Sequence, residues 1–307
     1  MRIVVDTDAG VDDAVALLMA LHAFPKEVAA VTTVFGNVDL PQATHNVSRI
    51  LEAFDRSDVP VHSGAARPIV KSVTEERWEG HGPDGLGGTS GVVEAGLRVA
   101  SRNDAVHALI ELSHEHRGEL IVVAIGPLTN VALAMLLDPS FAANVKQFVV
   151  MGGLSRGEGN TTLHSEFNVA CDPEATNIVM QHCRAEQLVV VPFETCADNK
   201  LSWETFDEVF CDATNPATAY IRKIWAFTRT FSPDEFVPCD AYAMAAMLDT
   251  RYIKEARKLK GSVHLAPDER RGASIWEEDC PSEEANVTLV TRANRDVFVE
   301  LLFKLAS

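Results

Sequence analysis

The chain opens with MRIVVDTDAGVDDAVALLMA (residues 1–20), and this stretch decides the predicted fold. An apolar β-branched run, RIVV at 2–5, predicts a buried strand, and the apolar pattern over 12–23 predicts a helix. Between the two, residues 6–13 read DTDAGVDD, which places four carboxylates within eight residues. Like charges at this spacing repel one another, so the segment needs a specific physical explanation.

The alternation of short apolar runs with longer helical patterns continues along the chain. Further strands are predicted at 28–34, 59–63, 119–125, 145–151 and 187–193, with late strands near 262–266 and 286–290. Further helices are predicted at 42–54, 103–115, 130–137, 173–183, 216–230 and 240–248, with a closing helix from about Asp296. Nearly continuous apolar strands are typical of a parallel sheet that is covered on both faces.

This order of elements predicts an α/β fold with a doubly wound, mostly parallel sheet flanked by helices. Residues 194–236 are expected to form a small helical cap near the C-terminal ends of the strands. We interpret residues 1–307 as one domain, since no linker, repeat or low-complexity segment interrupts the pattern.

Composition narrows the classes of partner and compartment. Lys and Arg number 27 against 44 Asp and Glu, and the formal charge of -17 argues against nucleic acid or an anionic membrane as a partner. The sequence has no run near the roughly 20 apolar residues that a membrane helix needs, and we expect no signal peptide. The six cysteines form no CxxC pair, so we expect reduced thiols in a cytoplasmic protein.

Polar residues gather where several predicted strands end. DTDAGVDD follows the first strand, FGN (35–37) the second, GPLTN (126–130) the fourth and GGLSRGEGN (152–160) the fifth. Open α/β sheets bind their ligands outside the carboxyl ends of the strands. The four segments therefore predict one ligand-binding crevice at that edge.

The acids of DTDAGVDD have two readings. Asp12 and Asp13 fall at the start of a helix, where the dipole favours negative charge, so they could simply be capping residues. That reading leaves Asp8 unexplained, since it should lie close to Asp13. A hard divalent cation with oxygen ligands is the simplest remedy for such crowding.

Two known acidic motifs fit less well. An EF-hand loop starting at Asp6 would need Glu at its twelfth position, where this chain has Leu17. A haloacid dehalogenase-type phosphatase would use Asp6 as nucleophile and Asp8 as general acid, but it also needs a later Lys and a distant acidic pair. Here the acidic pair follows at once.

DTDAGVDDAVAL resembles the signature of the nucleoside hydrolases, which cleave the N-glycosidic bond of ribonucleosides. The resemblance extends in order and spacing through FGN (35–37), GPLTN (126–130), MGG (151–153), EGNTTLHSEFNVACDPEA (158–175) and CDAYAMAAML (239–248). Several separate motifs in order are far more specific than one alone.

The resemblance implies a Ca2+ ion in the site. Its ligands would be Asp8, Asp13, Asp240 and the backbone carbonyl of Ile125, where the family usually has Thr. The ion would lower the pKa of a water molecule, and Asp8 would accept the proton of that water as general base.

The resemblance also implies a ribose site. Asp12 and Asn168 would bind the 2′- and 3′-hydroxyls with Asp240 nearby, Glu166 and Asn160 would bind the 5′-hydroxyl, and Asn37 and Met151 would line the sugar pocket. Breaking the glycosidic bond builds oxocarbenium-like positive charge on the sugar, which a carboxylate-rich pocket stabilises.

The nucleobase end of the site is less determined by the sequence. His81 matches a histidine that many family members carry near the base, although a surface histidine is an equal alternative. Cys239 stands where well-studied members have His, so the chain resembles the subgroup with Cys in place of that active-site His. Its thiol is either a weak acid near the base or simply a small buried residue.

These inferences together predict a Ca2+-dependent ribonucleoside N-ribohydrolase that serves nucleoside metabolism and nucleobase salvage. The expected products are ribose and a free purine or pyrimidine base, and the resemblance implies a homodimer or homotetramer. Two alternatives stay open here. The first is a Ca2+-dependent nucleoside- or ribose-binding protein without turnover, and the second, ranked below it, is the dehalogenase-type phosphatase.

Overall fold

The computed structural model describes residues 1–74, 76–89 and 104–305, and within them nine strands form one sheet in the order β3-β2-β1-β4-β5-β6-β9-β7-β8. The strands are β1 (Arg2–Thr7), β2 (Val28–Thr33), β3 (Val61–Ser63), β4 (Leu120–Ala124), β5 (Gln147–Met151), β6 (Leu188–Val191), β7 (Ile253–Val263), β8 (Ser274–Glu277) and β9 (Val287–Ala293). Strands β1–β6 and β9 run parallel, whereas β7 pairs antiparallel with both β9 and β8.

Helices connect these strands and cover both faces of the sheet. They are α1 (Val11–Ala23), α2 (Leu40–Ala53), α3 (Ala105–Glu115), α4 (Thr129–Leu137), α5 (Phe141–Asn144), α6 (Phe167–Cys171), α7 (Pro173–His182), α8 (Phe193–Ala197), α9 (Trp203–Val209), α10 (Pro216–Phe231), α11 (Cys239–Leu248) and α12 (Arg295–Lys304). None of the helices described is long and apolar enough to cross a bilayer.

Two hydrophobic cores lie on opposite faces of the sheet, because successive side chains of a strand point in opposite directions. Val5 and Val123 pack into the core that contains α1, α2, α10, α11 and α12. Val4 and Val122 pack into the other core, with α3, α4, α5 and α7. Burial on both faces explains why the strands are apolar at nearly every position.

The predicted α/β fold with a mostly parallel sheet is confirmed, and most element boundaries agree within two residues. Asn103, the first residue of one predicted helix, lies outside the described residues. The strand expected near 262–266 is instead the long β7, which begins at Ile253. Its first half is mostly exposed and reads KEARK, so it lacks the apolar signal of the central strands.

The strand order places the DTDAGVDD segment at the centre of the carboxyl edge. Strand β1 lies between β2 and β4, and the direction of winding reverses at this point. Such a switch point opens a crevice outside the strand ends. Asp8 and the residues after it therefore emerge directly into the crevice.

Asn130, the last residue of GPLTN, ties three neighbouring strand ends together. Its amide Nδ2 donates to Asp6 Oδ1 (2.8 Å) and to the Thr33 carbonyl (3.0 Å), and its Oδ1 accepts from the Ala65 N–H (2.8 Å). Asn130 is fully buried, so these three hydrogen bonds have no solvent substitute. The residue therefore stabilises the edge of the sheet that carries the crevice.

The variant Asn130→Ala is expected to lower the free energy of unfolding by about 2–4 kcal/mol, because it leaves several buried polar groups unpaired. Urea unfolding at neutral pH measures this loss. The matched control Asn177→Ala removes one hydrogen bond, from the Val263 N–H to a half-buried amide (3.1 Å), and should cost about 1 kcal/mol. Equal losses in the two variants would contradict the role given to Asn130.

Candidate active site

The turn between β1 and α1 is held by hydrogen bonds among its own residues. Asp13 Oδ2 accepts from the Gly10 N–H (2.7 Å), while its Oδ1 accepts from the Thr7 hydroxyl. The Thr7 hydroxyl oxygen in turn accepts from the N–H of Ala9, which adopts a left-handed conformation with φ of 58°. Asp13 thus caps α1, in agreement with the capping role considered for it from the sequence. It does so from a fully buried position.

Asp8 is gripped by the loop that follows β2. Asn37 donates its backbone N–H to Asp8 Oδ2 (2.8 Å) and its Nδ2 to Asp8 Oδ1 (3.1 Å). Gly36 must be glycine for this contact, since a Cβ there would lie 2.0 Å from Asp8 Oδ2. The FGN segment therefore fixes the orientation of the Asp8 carboxylate.

Three carboxylates converge beside this turn. Oxygen atoms of Asp12, Asp13 and Asp240 lie within 4.8 Å of one another, with Asp240 supplied by the first turn of α11. Burial raises the pKa of Asp12 to about 6. Burial, together with the negative charges of Asp12, Asp13 and Asp8, raises the pKa of Asp240 well above its usual range.

This donor set fits a hard divalent cation. All three groups are carboxylates, which are the ligands that Ca2+ prefers, and Asp12 Oδ1 is buried without a hydrogen-bond partner. A cation would supply the missing partner and favour the ionised form of every carboxyl group nearby.

The geometry differs in one respect from the expected ligand set. Asp13 and Asp240 belong to the convergent group, but Asp12 stands in it where the sequence suggested Asp8. The Ile125 carbonyl lies at the end of β4 and accepts a hydrogen bond from Asn168 Nδ2 (3.2 Å). Each oxygen of Asp8 accepts one hydrogen bond from Asn37 and keeps a further lone pair that a cation or a proton could use.

Asp6 is separate from this group. Its Oδ1 accepts from the Thr32 hydroxyl (2.5 Å) and from Asn130 Nδ2 (2.8 Å), within the sheet. Burial raises its pKa to about 7. Asp6 therefore supports the strand ends and is not among the residues that line the cavity described below.

The segment 160–168 forms another wall of the crevice. Asn168 is buried, and its Nδ2 also donates to the Met151 carbonyl (3.2 Å). Glu166 caps the short helix α6: its Oε1 accepts from the Asn168 N–H (2.9 Å), and its Oε2 from the N–H groups of Gly153 (3.0 Å) and Val169 (3.2 Å). Burial raises the pKa of Glu166 to about 7.

His81 is buried, so it is not the surface histidine that the sequence left as an alternative. Its Nδ1 accepts from the Val11 N–H (3.3 Å) and lies 3.9 Å from Asp12 Oδ1. Burial lowers the pKa of His81 to about 4, so the ring is neutral and its proton lies on Nε2. Trp225 Nε1 donates to the Val11 carbonyl (3.0 Å), so α10 holds the same turn from the other side.

Cys239 begins α11 and is only half-buried. The Cys196 thiol lies beside it, 3.7 Å from the Cys239 carbonyl oxygen. A hydrogen bond with Cys196 and burial raise the pKa of the Cys239 thiol well above its usual range. The thiol is therefore neutral.

One cavity of about 280 Å3 brings these residues together. Its lining includes ten residues expected from the sequence: Asp12, Asn37, His81, Ile125, Met151, Asn160, Glu166, Asn168, Cys239 and Asp240. Asp8 and Asp13 are fully buried and lie outside the lining.

Other lining residues were missed by the sequence analysis. Among them are Trp78, Phe193, Thr228 and Val237, which are apolar or weakly polar residues in loops and in α8 and α10. Phe193 is the last residue of a predicted apolar strand. Its position at the carboxyl end of that strand could have identified it as a candidate cavity residue. The other three carry no motif that separates a cavity wall from an ordinary core.

Comparison with known proteins gives a consistent family. A family model described as inosine-uridine preferring nucleoside hydrolase matches residues 3–300. Probable uridine nucleosidase 2 of Oryza sativa subsp. japonica is 40% identical over 178 residues, which is 58% of this chain and 52% of that protein. Non-specific ribonucleoside hydrolase RihC of Salmonella enteritidis is 38% identical over 181 residues, 59% of this chain and 58% of that protein.

Solved structures extend the likeness to the whole chain. A structure described as Inosine-Guanosine Nucleoside Hydrolase superposes with a TM-score of 0.91 at 28% identity, covering 99% of this chain and 98% of the other. The sequence matches to the two curated relatives span only 52% and 58% of those relatives' own lengths.

The raised pKa of Glu166 predicts a pH-dependent contribution to stability. Between its ordinary pKa of 4.5 and about 7, the unfolded chain ionises Glu166 while the folded chain keeps it protonated. The folded state then binds more protons, so the contribution of Glu166 to the free energy of unfolding falls as pH rises through this window.

In Glu166→Gln this decline should be absent, so the stability difference between wild type and variant should change between pH 4.5 and 7 and flatten outside it. Urea unfolding across this range measures it, and Glu208→Gln, at an exposed position on α9, controls for simple loss of a carboxyl group. Parallel pH curves for wild type and Glu166→Gln would contradict the prediction.

Proposed function

The chain belongs to the inosine-uridine preferring nucleoside hydrolase family, and from this premise we propose that it hydrolyses the N-glycosidic bond of ribonucleosides. The observation that carries the proposal is the joint lining of one cavity by carboxylates of α1 and α11 and by the amides of Asn37 and Asn168. Ribose offers only hydroxyl groups, so a specific site for it needs many buried acceptors and amides. The products would be ribose and a free nucleobase.

We propose that the cofactor is Ca2+, held by Asp8, Asp13, Asp240 and the Ile125 carbonyl, with Asp12 close by. The convergence of three buried carboxylates and the unpartnered Asp12 Oδ1 support this. When bound, a divalent cation lowers the pKa of a water molecule and so makes a nucleophile available at neutral pH.

Asp8 is proposed as the general base. Asn37 holds both of its oxygens, so the carboxylate is oriented before substrate arrives. Burial and the nearby charge of Asp13 raise the pKa of Asp8, which makes it a better proton acceptor than an exposed aspartate. A cation near Asp13 would offset part of that shift and keep Asp8 ionised at neutral pH.

The proposed sugar contacts follow the walls of the cavity. Asp12, Asn168 and Asp240 would bind the 2′- and 3′-hydroxyls, and Glu166 with Asn160 would bind the 5′-hydroxyl. Asn37 and Met151, which also line the cavity, would complete the sugar pocket. Positive charge that develops on the sugar ring during bond cleavage would be stabilised by the carboxylates of the α1 and α11 termini.

At the base end, two neutral donors are available. The His81 ring carries its proton on Nε2, because Nδ1 is occupied by the Val11 N–H. Cys239 is a neutral thiol whose raised pKa makes it a weak acid. We propose that His81 is the more effective of the two in assisting the departing base, since an imidazole N–H is the stronger hydrogen-bond donor.

A binding protein without turnover is the second candidate, and the weak acidity of Cys239 favours it. The family assignment offers no support for the dehalogenase-type phosphatase.

We also propose that the protein is a homodimer or homotetramer, as the resemblance implies. The six free cysteines support our proposal that it is cytoplasmic.

Incubation with a panel of purine and pyrimidine ribonucleosides, followed by a reducing-sugar assay, tests the proposal. Ribose release that is lost with a chelator and restored by Ca2+ is the expected result. Stoichiometric nucleoside binding with no ribose released would favour the binding protein, and release unaffected by chelator would contradict the role of the cation.

Asp8→Asn should lower kcat by about 10²–10⁴-fold, because the amide cannot accept the proton. Asp6→Asn is the matched control, since Asn can keep the contacts with Thr32 and Asn130 through its Oδ1. That control should retain most of its activity. Equal losses in the two variants, or turnover by Asp8→Asn at the parent rate, would contradict the assignment of Asp8.

A further inference from the structure

Glu194, in the first turn of α8, is a buried carboxylate that none of the proposed steps uses. Its Oε2 accepts from the N–H of Ser155 (2.7 Å) and from the Ser155 hydroxyl (3.2 Å). Its Oε1 accepts from the N–H groups of Arg156 (2.8 Å) and Glu158 (3.2 Å). Both oxygens of one side chain are therefore directed at a single stretch of loop backbone, 155–158.

This stretch leads directly to the sugar side of the cavity. Two residues after Glu158 the chain reaches Asn160, which is exposed at the cavity wall. Asn160 Oδ1 accepts from the Phe167 N–H (3.0 Å), which links the loop to the start of α6. Gly159 packs so tightly that a Cβ there would lie 2.0 Å from the Thr162 carbonyl oxygen. Asn160 is thus bound directly to the Phe167 N–H, while Glu194 holds the backbone that ends two residues before it.

The helix that carries Glu194 is itself part of the cavity wall. Phe193 and Ala197, which precede and follow Glu194 in the sequence of α8, both line the cavity. The Thr195 hydroxyl donates to the Val290 carbonyl (2.8 Å), which anchors α8 to strand β9. Glu194 therefore sets the distance between the Asn160 loop and a wall that is fixed to the sheet.

We propose that Glu194 is a positioning residue that places Asn160 for contact with the 5′-hydroxymethyl end of the ribose. This inference rests on the proposed function, because it assigns a sugar contact to the same site. A carboxylate suits the task, since four hydrogen bonds converge on it and an acceptor with two oxygens satisfies all of them. A neutral amide at this position would turn a donor toward at least one backbone N–H.

The variant Glu194→Gln tests the anchoring directly. Amide hydrogen exchange should accelerate by about tenfold or more at one or more of residues 155, 156 and 158, because an NH2 group replaces one of the two oxygens that accept from their N–H groups. Asp198→Asn is the matched control: Asp198 binds the exposed Arg156 side chain of the same loop (2.7 Å), and an exposed ion pair of this kind contributes little. Its exchange should stay close to that of the wild type.

Substrate discrimination separates positioning from general stability. The ratio of kcat/KM for a ribonucleoside to that for its 5′-deoxy analogue should fall by about tenfold in Glu194→Gln, which is the loss of roughly one hydrogen bond. The kcat/KM for the 5′-deoxy analogue itself should change little. Asp198→Asn should keep the wild-type ratio.

An equal loss toward both substrates would overturn the proposal, because it would show a role in stability alone. Unchanged exchange at 155–158 or an unchanged ratio would overturn it as well. If Glu194→Gln folds poorly, Glu194→Asp replaces it: the shorter carboxylate keeps the charge, reaches fewer donors and should show the same change in smaller measure. A wild-type chain that hydrolyses no nucleoside would instead contradict the proposed function, and the exchange experiment would still decide whether Glu194 anchors the loop.

Discussion

The burial of several carboxylates around one point is the constraint on which the rest of the structure depends. Asp8, Asp12, Asp13 and Asp240 are all nearly or completely removed from solvent, and burial raises the pKa of each. Two helix N-termini reduce the cost of burying these negative charges. Both α1 and α11 begin at this point, and the positive end of each helix dipole stabilises a nearby carboxylate. The remaining imbalance is the physical argument for a cation.

Side-chain amides hold this acidic centre in place. Asn37 joins the loop after β2 to Asp8, and Asn168 joins α6 to the ends of β4 and β5. Asn46, on α2, donates to the Ala9 carbonyl (3.1 Å) and to the Asp84 carbonyl (2.7 Å), which links the β1 turn to the loop that carries His81. An amide can bridge two backbone segments without adding charge, so it suits the surroundings of a carboxylate cluster.

The two ends of the cavity are built differently. The proposed sugar end is lined by polar side chains that are themselves fixed by backbone hydrogen bonds, as at Glu166 and Asn168. The proposed base end contains His81, Cys239 and Trp78, and the Trp78 ring meets the His81 ring edge to face at 4.8 Å between centroids. A rigid polar end and a mostly apolar end match the two halves of a nucleoside.

The sequence by itself determined the α/β class, the central strands, the crevice at their carboxyl ends and most of the polar lining. These follow from apolar runs and from polar residues directly after them, which are local signals. Only the tertiary structure decided that His81 is buried and neutral, that Asp12 joins Asp13 and Asp240, and that Glu194 holds the loop of Asn160. Each of these depends on contacts between segments far apart in the chain, and such contacts leave no periodicity or spacing in the sequence. The same reason explains β7, whose exposed first half is a strand because β9 pairs with it.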